Sequence, residues 1–175
     1  MRCATLYVAE PFVMTLKYSI DPKHTESWLA PIGKLVVNFG ALELETFQWI
    51  DTLSNRTRTD RAINQMFKPR VLTILGLSAN VPDKKLRKEI EKVWQEALRI
   101  AEFRNVILHN PIVFGHSSAN EDGPPDIIVI PNIKAVRKSK PPRMIATLRE
   151  INDHIDRLVH CVRRSNELLR QIVLQ

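Results

Sequence analysis

The stretch DKKLRKEIEKVWQEALRIAEFRNVILHNP occupies residues 83–111. Leu86, Ile90, Val93, Trp94, Ala97, Ala101 and Leu108 recur in it at helical spacing, which marks one apolar face. Pro82 and Asp83 precede the pattern. Pro111 disfavours the α conformation at Asn110. The spacing therefore predicts a helix from about Asp83 to His109. Its last turns carry three polar residues whose orientation matters. At about 100° per residue from Ile90, Arg104 lies about 40° from the stripe centre, Asn105 about 60° and His109 about 100°. Asn105 and His109 are four residues apart and share a side, and the long Arg104 side chain can swing across to them. Phe103 and Val106 fall roughly 140–160° from the centre, where water is expected. A second apolar face of that kind reads as a dimer contact, with the hairpin described below as the other candidate cover.

Upstream, Ser27 caps a long helix with Pro31 in its first turn. Trp28, Ile32, Leu35, Val36, Phe39, Phe47, Ile50 and Leu53 give it an apolar stripe ending near Ser54. With Ile32 as origin, Glu43 falls about 20° from the centre of that stripe, and Glu45 falls on the solvent side. A carboxylate on a core stripe is costly unless paired, and the facing Arg104 is the expected partner of Glu43. Between the long helices, a short helix is expected over Thr59–Met66, then a break before Pro69 and a second piece over Val71–Leu77.

Downstream, PIVFG and DIIVI read as two short strands joined by the polar stretch HSSANEDGPP, a hairpin with a loose loop. Ile145, Leu148, Ile151, Ile155, Val159, Val162, Leu169 and Val173 mark a last helix. The expected fold is all-α: an up-down bundle of three long helices plus a broken fourth, with a small β-hairpin after the helix that ends at His109. Residues 1–26 form an irregular N-terminal segment, and 27–175 the bundle, with hairpin and basic linker at about 111–143.

Composition narrows the function classes. The 175 residues are 44% hydrophobic and 26% charged, ordinary for a globular domain. No apolar run approaches the roughly 20 residues that span a bilayer, so no membrane partner is expected. MRCATLYVAEPFVMTLKYS does not read as a signal peptide, and Cys3 and Cys161 then read as free thiols of a cytoplasmic protein. The net charge of +7 favours polyanions. From Ile127 to Leu148 no acidic residue occurs, and Lys134, Arg137, Lys138, Lys140 and Arg143 cluster there. This is either a solvated basic loop or a strip that contacts RNA phosphates. The histidines and cysteines have no metal-ligand spacing, and there is no glycine-rich phosphate loop, so no metal or cofactor is expected.

RNVILH, residues 104–109 at the end of a long bundle helix, resembles the motif of the HEPN superfamily: Arg, then a polar residue, and His after a short spacer. IGKLVVNFGALELETFQWI, with its acidic residue in an apolar pattern, is similar to the opening helix of many members. The resemblance covers most of residues 27–173. It implies a metal-independent endoribonuclease of toxin or phage-defence type, working as a homodimer that joins two motifs, in some cases with an antitoxin protein as partner. It also implies Arg104, Asn105 and His109 as the catalytic set. Members that bind without cutting also exist, so a catalytically silent helical dimer binding RNA, a nucleotide or a protein is the competing expectation.

The chemistry fits these residue types on its own terms. Metal-free RNA cleavage needs a base, an acid and a cation for the crowded phosphorane. Histidine serves as base or acid near neutrality. Arginine offers a permanently charged planar fork for phosphate oxygens. One chain supplies one such His, and two motifs about a two-fold axis would supply both proton-transfer groups.

Overall fold

A computed structural model describes residues 22–54, 59–109, 112–115, 126–129 and 144–174 of the chain. The elements are α1 (Pro22–Leu53), α2 (Thr59–Ile63), α3 (Phe67–Ser78), α4 (Lys84–His109), β1 (Ile112–Gly115), β2 (Asp126–Val129), β3 (Met144–Ala146) and α5 (Leu148–Val173). The described residues fall into two units. One is drawn from Met1–Gly33 and Asn105–Asp153, the other from Lys34–Arg104 and His154–Gln175.

α1 begins five residues before Ser27, with Pro22 first and Pro31 well inside the helix. A first-turn proline loses nothing, whereas Pro31 removes one helical hydrogen bond from the interior. α4 starts on a true cap: Asp83 Oδ1 accepts from the backbone N–H groups of Lys85 at 2.7 Å and Leu86 at 3.2 Å. α5 starts on a capping box. The Glu150 N–H donates to Thr147 Oγ1 at 3.1 Å, and the Thr147 N–H donates to Glu150 Oε2 at 2.8 Å.

The unit of Lys34–Arg104 and His154–Gln175 has a helical core built on Phe39, Leu42, Trp49, Ile74, Ile90, Trp94, Ile100, Leu158 and Leu168. The pairs across it fix helix directions. Trp49 meets the edge of Trp94 at 5.9 Å between centroids, and Phe39 underlies Arg104, so α1 and α4 are antiparallel. Glu89 faces Arg164 and Glu96 faces Arg157, so α4 and α5 are antiparallel. Phe39 packs on Phe67 and Glu43 faces Arg70, so α3 runs in the same sense as α1. That departs from the expected up-down order. The break lies at residues 64–66, ahead of Phe67, and Pro69 sits harmlessly in the first turn of α3.

In the other unit, Trp28, Ile107, Ala146 and Ile151 are buried. Here the expected fold needs correction. No two-stranded hairpin stands between α4 and the last helix. β2 is the middle of a three-stranded antiparallel sheet of order β1-β2-β3. Ile112 is opposite Val129 and Gly115 opposite Asp126 on one side of β2; Ile127 is opposite Ala146 and Val129 opposite Met144 on the other. The all-α class with a hairpin therefore gives way to a helical scaffold carrying this small sheet. β3 was hidden because a three-residue apolar run has no period that separates it from the first turn of a helix.

Candidate functional site

α4 is one unbroken helix to His109, so the spacing of Arg104, Asn105 and His109 is that of the helix itself. Asn105 and His109 are both exposed, about 40° apart around the axis and about 6 Å apart along it. They form one open edge of the last two turns. Arg104 stands about 140° around the axis from His109. It is half-buried, and its guanidinium lies over the Phe39 ring, 4.9 Å from the centroid. The ring holds the stem and plane of the cation, as in cation–π packing.

Glu43 is half-buried, and the partner observed for it is Arg70, at 3.5 Å, where Arg104 was expected. The Arg70 side chain is buried and lies 4.3 Å over the Phe47 ring. Burial lowers the Arg70 pKa, and the Glu43 charge opposes that shift. Arg70 escaped the sequence reading, although Phe67, Arg70, Val71, Ile74 and Ser78 all lie on the buried stripe of α3. The signal was present once the helix is started at Phe67.

The two glutamates of α1 exchange roles. Glu45, expected in solvent, is 6% exposed. Its Oε1 accepts from Asn166 Nδ2 at 3.1 Å and its Oε2 from Ser165 Oγ at 3.4 Å. Ser165 in turn accepts the indole N–H of Trp49 at 2.7 Å. Desolvation raises the Glu45 pKa, and the hydrogen bonds from Asn166 and Ser165 oppose it. The exchange has a geometric cause. Ile32, the origin of the angular count, is only half-buried. The buried centre of α1 lies about 60° around from it, on the side of Leu35, Leu42 and Trp49.

Phe103 does not form an exposed second face. It is 8% exposed, and its ring stacks on that of His154 in α5 at 3.6 Å between centroids. Val106 is half-buried. The interface expected at Phe103 and Val106 is thereby corrected, because α4 buries an arc of about 180° running from Trp94 to Phe103. A single narrow stripe underestimates a helix packed against both α1 and α5.

Lys134, Arg137, Lys138, Lys140 and Arg143 lie outside the described residues, as do His116 and Cys3. Cys161 is a buried free thiol, pushed up to about 11 by burial first and by Glu96 second. Among the described residues no three His, Cys, Asp or Glu side chains are grouped to hold a metal ion, and no helix is long and apolar enough to cross a membrane. Comparison with protein-family models, with curated proteins and with solved structures finds no match.

Proposed function

We propose that this chain is a HEPN-like, metal-independent endoribonuclease of toxin or phage-defence type. It acts in the cytoplasm as a homodimer, needs no cofactor, and is open to control by an antitoxin protein. The carrying observation is the open edge formed by Asn105 and His109 on the last turns of α4, directly after Arg104. An imidazole and an amide on one exposed edge are accessible to a phosphodiester. His109 takes the 2′-hydroxyl proton or gives one to the leaving 5′-oxygen. Asn105 orients the ring or bonds a phosphate oxygen. Arg104, by leaving the Phe39 ring and swinging its long side chain across to that edge, supplies the positive charge for the phosphorane. A second copy supplies the complementary acid or base. The net charge of +7 draws RNA toward the protein.

Purified protein incubated with mixed RNA in EDTA tests the proposal. Products with 2′,3′-cyclic phosphate ends are expected from the parent and are absent with His109→Ala. Cutting that survives His109→Ala assigns the activity to another site or a contaminant. RNA bound but never cut by the parent leaves the silent-binder reading.

A further inference from the structure

The solvent side of α4 carries a row of cations that the fold does not explain. Lys85, Lys88, Lys92, Gln95 and Arg99 are all exposed. At about 100° per residue they fall within an arc of about 80°. Lys85, Lys92 and Arg99 recur every seven residues, so the row runs nearly straight along the helix for about 21 Å. Between Lys85 and Arg99 no acidic and no apolar residue falls in that arc. Glu89 and Glu96 lie at one edge of it and Glu91 at the other. The whole row belongs to the unit of Lys34–Arg104 and His154–Gln175.

A solvated helix face ordinarily alternates sign, because like charges three or four residues apart oppose the helix. Lys85, Lys88 and Lys92 are such neighbours, and after the Asp83 cap the first turn of α4 holds no acid to offset them at the positive end of the helix dipole. Both effects work against folding, and an anion laid along the row relieves both. Lys92 reaches Glu89 at 3.1 Å and Arg99 reaches Glu96 at 3.0 Å, yet the two cationic side chains stay 72% and 66% exposed. Arg164 and Arg157 of α5 meet the same two glutamates. Lys92 and Arg99 can therefore turn to a phosphate without leaving a carboxylate unpaired. The make-up of the row says which anion. Its length suits a linear polyanion, where a small ion needs only one or two of these groups. A contact with another protein is centred on apolar or aromatic anchors with charge depleted there, and the row has no such anchor. Interfaces with nucleic acid are polar and strongly positive.

We propose that the row from Lys85 to Arg99 is a docking surface for the phosphate backbone of a nucleic acid strand. Lys85, Lys88 and Lys92 meet phosphate oxygens as point charges, Arg99 does so through its planar fork, and Gln95 adds an amide donor between them. No aromatic ring stands in the row to stack a base, so the contact is blind to sequence. The surface shares no residue with Arg104, Asn105 and His109, and it stands whether or not RNA is cut.

Fluorescence anisotropy of the full chain with a labelled 2′-O-methyl RNA strand tests the proposal, since that strand offers phosphates and no 2′-hydroxyl to attack. Affinity is followed from about 50 to 200 mM salt. Lys85→Gln, Lys88→Gln, Lys92→Gln and Arg99→Gln made together remove four phosphate contacts, and the slope of log affinity against log salt should flatten by about 2.8 with an unchanged helical circular-dichroism spectrum. The control combines Lys34→Gln, Lys68→Gln, Arg163→Gln and Arg170→Gln, four exposed cations on other helices whose loss lowers the net charge equally. It should move the slope by less than one contact, about 0.7. Should the fourfold row variant fail to fold, Lys85→Gln with Lys88→Gln carries the same test, with a slope flatter by about 1.4. Equal flattening by row and control variants, or none by the row variant, overturns the proposal. So does a labelled polyglutamate that binds more tightly than the RNA strand and is lost with the row, which gives the surface to an acidic protein. Cutting of unmodified RNA, scored in parallel, keeps the two readings apart. A parent that binds through the row and never cuts counts only against the ribonuclease, and cutting without any effect of the row counts only against the row.

Discussion

Glu45 shows how one side chain reports its surroundings through pH. Its carboxylate sits in the core between Asn166 and Ser165, with burial raising its pKa above the ordinary value. Between the unfolded and the folded value, the folded protein therefore holds a proton that the unfolded chain has released. The resulting stability is full below the unfolded carboxyl value, about 4.3, and is lost as pH rises through the folded value. Glu45→Gln keeps an acceptor for Asn166 and cannot ionise. It should be more stable than the parent at pH 8, with the margin shrinking toward pH 4, as read from urea midpoints. A margin independent of pH would place Glu45 in water. Ser165→Ala removes the oxygen that accepts the Trp49 N–H in the core, and a cost of about 1–3 kcal/mol is expected from the stranded donor. Neither residue stood out in the sequence. Glu43 and Glu45 differ by two positions on one helix, and which of them is buried turns on where the stripe centre is set. Pattern alone fixes that centre only to within about one residue's rotation, roughly 100°.

At the level of elements, the long helices were legible and their joints were not. α4 and the body of α1 lie where three- and four-residue spacing puts them, because an amphipathic face repeats often enough to average out single exceptions. Ser27 and Pro31 looked like a helix start, yet Pro22 opens α1 and the packed helix absorbs Pro31. The start of α5 was missed by a stripe counted from Ile145, although TLRE, residues 147–150, has the form of the capping box that starts the helix after β3. Thr147→Ala should cost about 1 kcal/mol, with Thr147→Ser recovering most of it in the same denaturation series. An equal loss for both would mean the methyl group matters and the cap does not. Gly76 offers the opposite sign. It lies inside α3, and a Cβ there meets nothing within 4 Å. Gly76→Ala should stabilise by about 0.5–1 kcal/mol. A destabilised variant would show that this face of α3 is covered.

For the molecule as a whole, the ionic contacts and the net charge serve different ends. Glu96 is partly desolvated, yet Arg157 and Arg99 hold its pKa below the ordinary value. Arg157 ties α5 to α4 through Glu96, while Arg99 reaches Glu96 from one turn along α4 itself, so these paired charges contribute little to the net +7. Part of that surplus lies in Lys134, Arg137, Lys138, Lys140 and Arg143. If these residues contact RNA, each phosphate neutralised adds about 0.7 to the slope of log affinity against log salt for a single strand. Neutralising all five should then flatten the slope by up to about 3.5, leave helical content and mass unchanged, and raise the RNA concentration needed for cutting without altering the product ends. His109→Ala should do the reverse. It keeps the salt slope of binding and loses the cut by about 10²–10⁴, the usual yield of general acid–base catalysis. The two variants separate attraction from chemistry. A salt slope untouched by the five substitutions leaves the basic segment as a solvated loop. A cutting rate that falls with the slope and is indifferent to His109 places the chemistry away from α4.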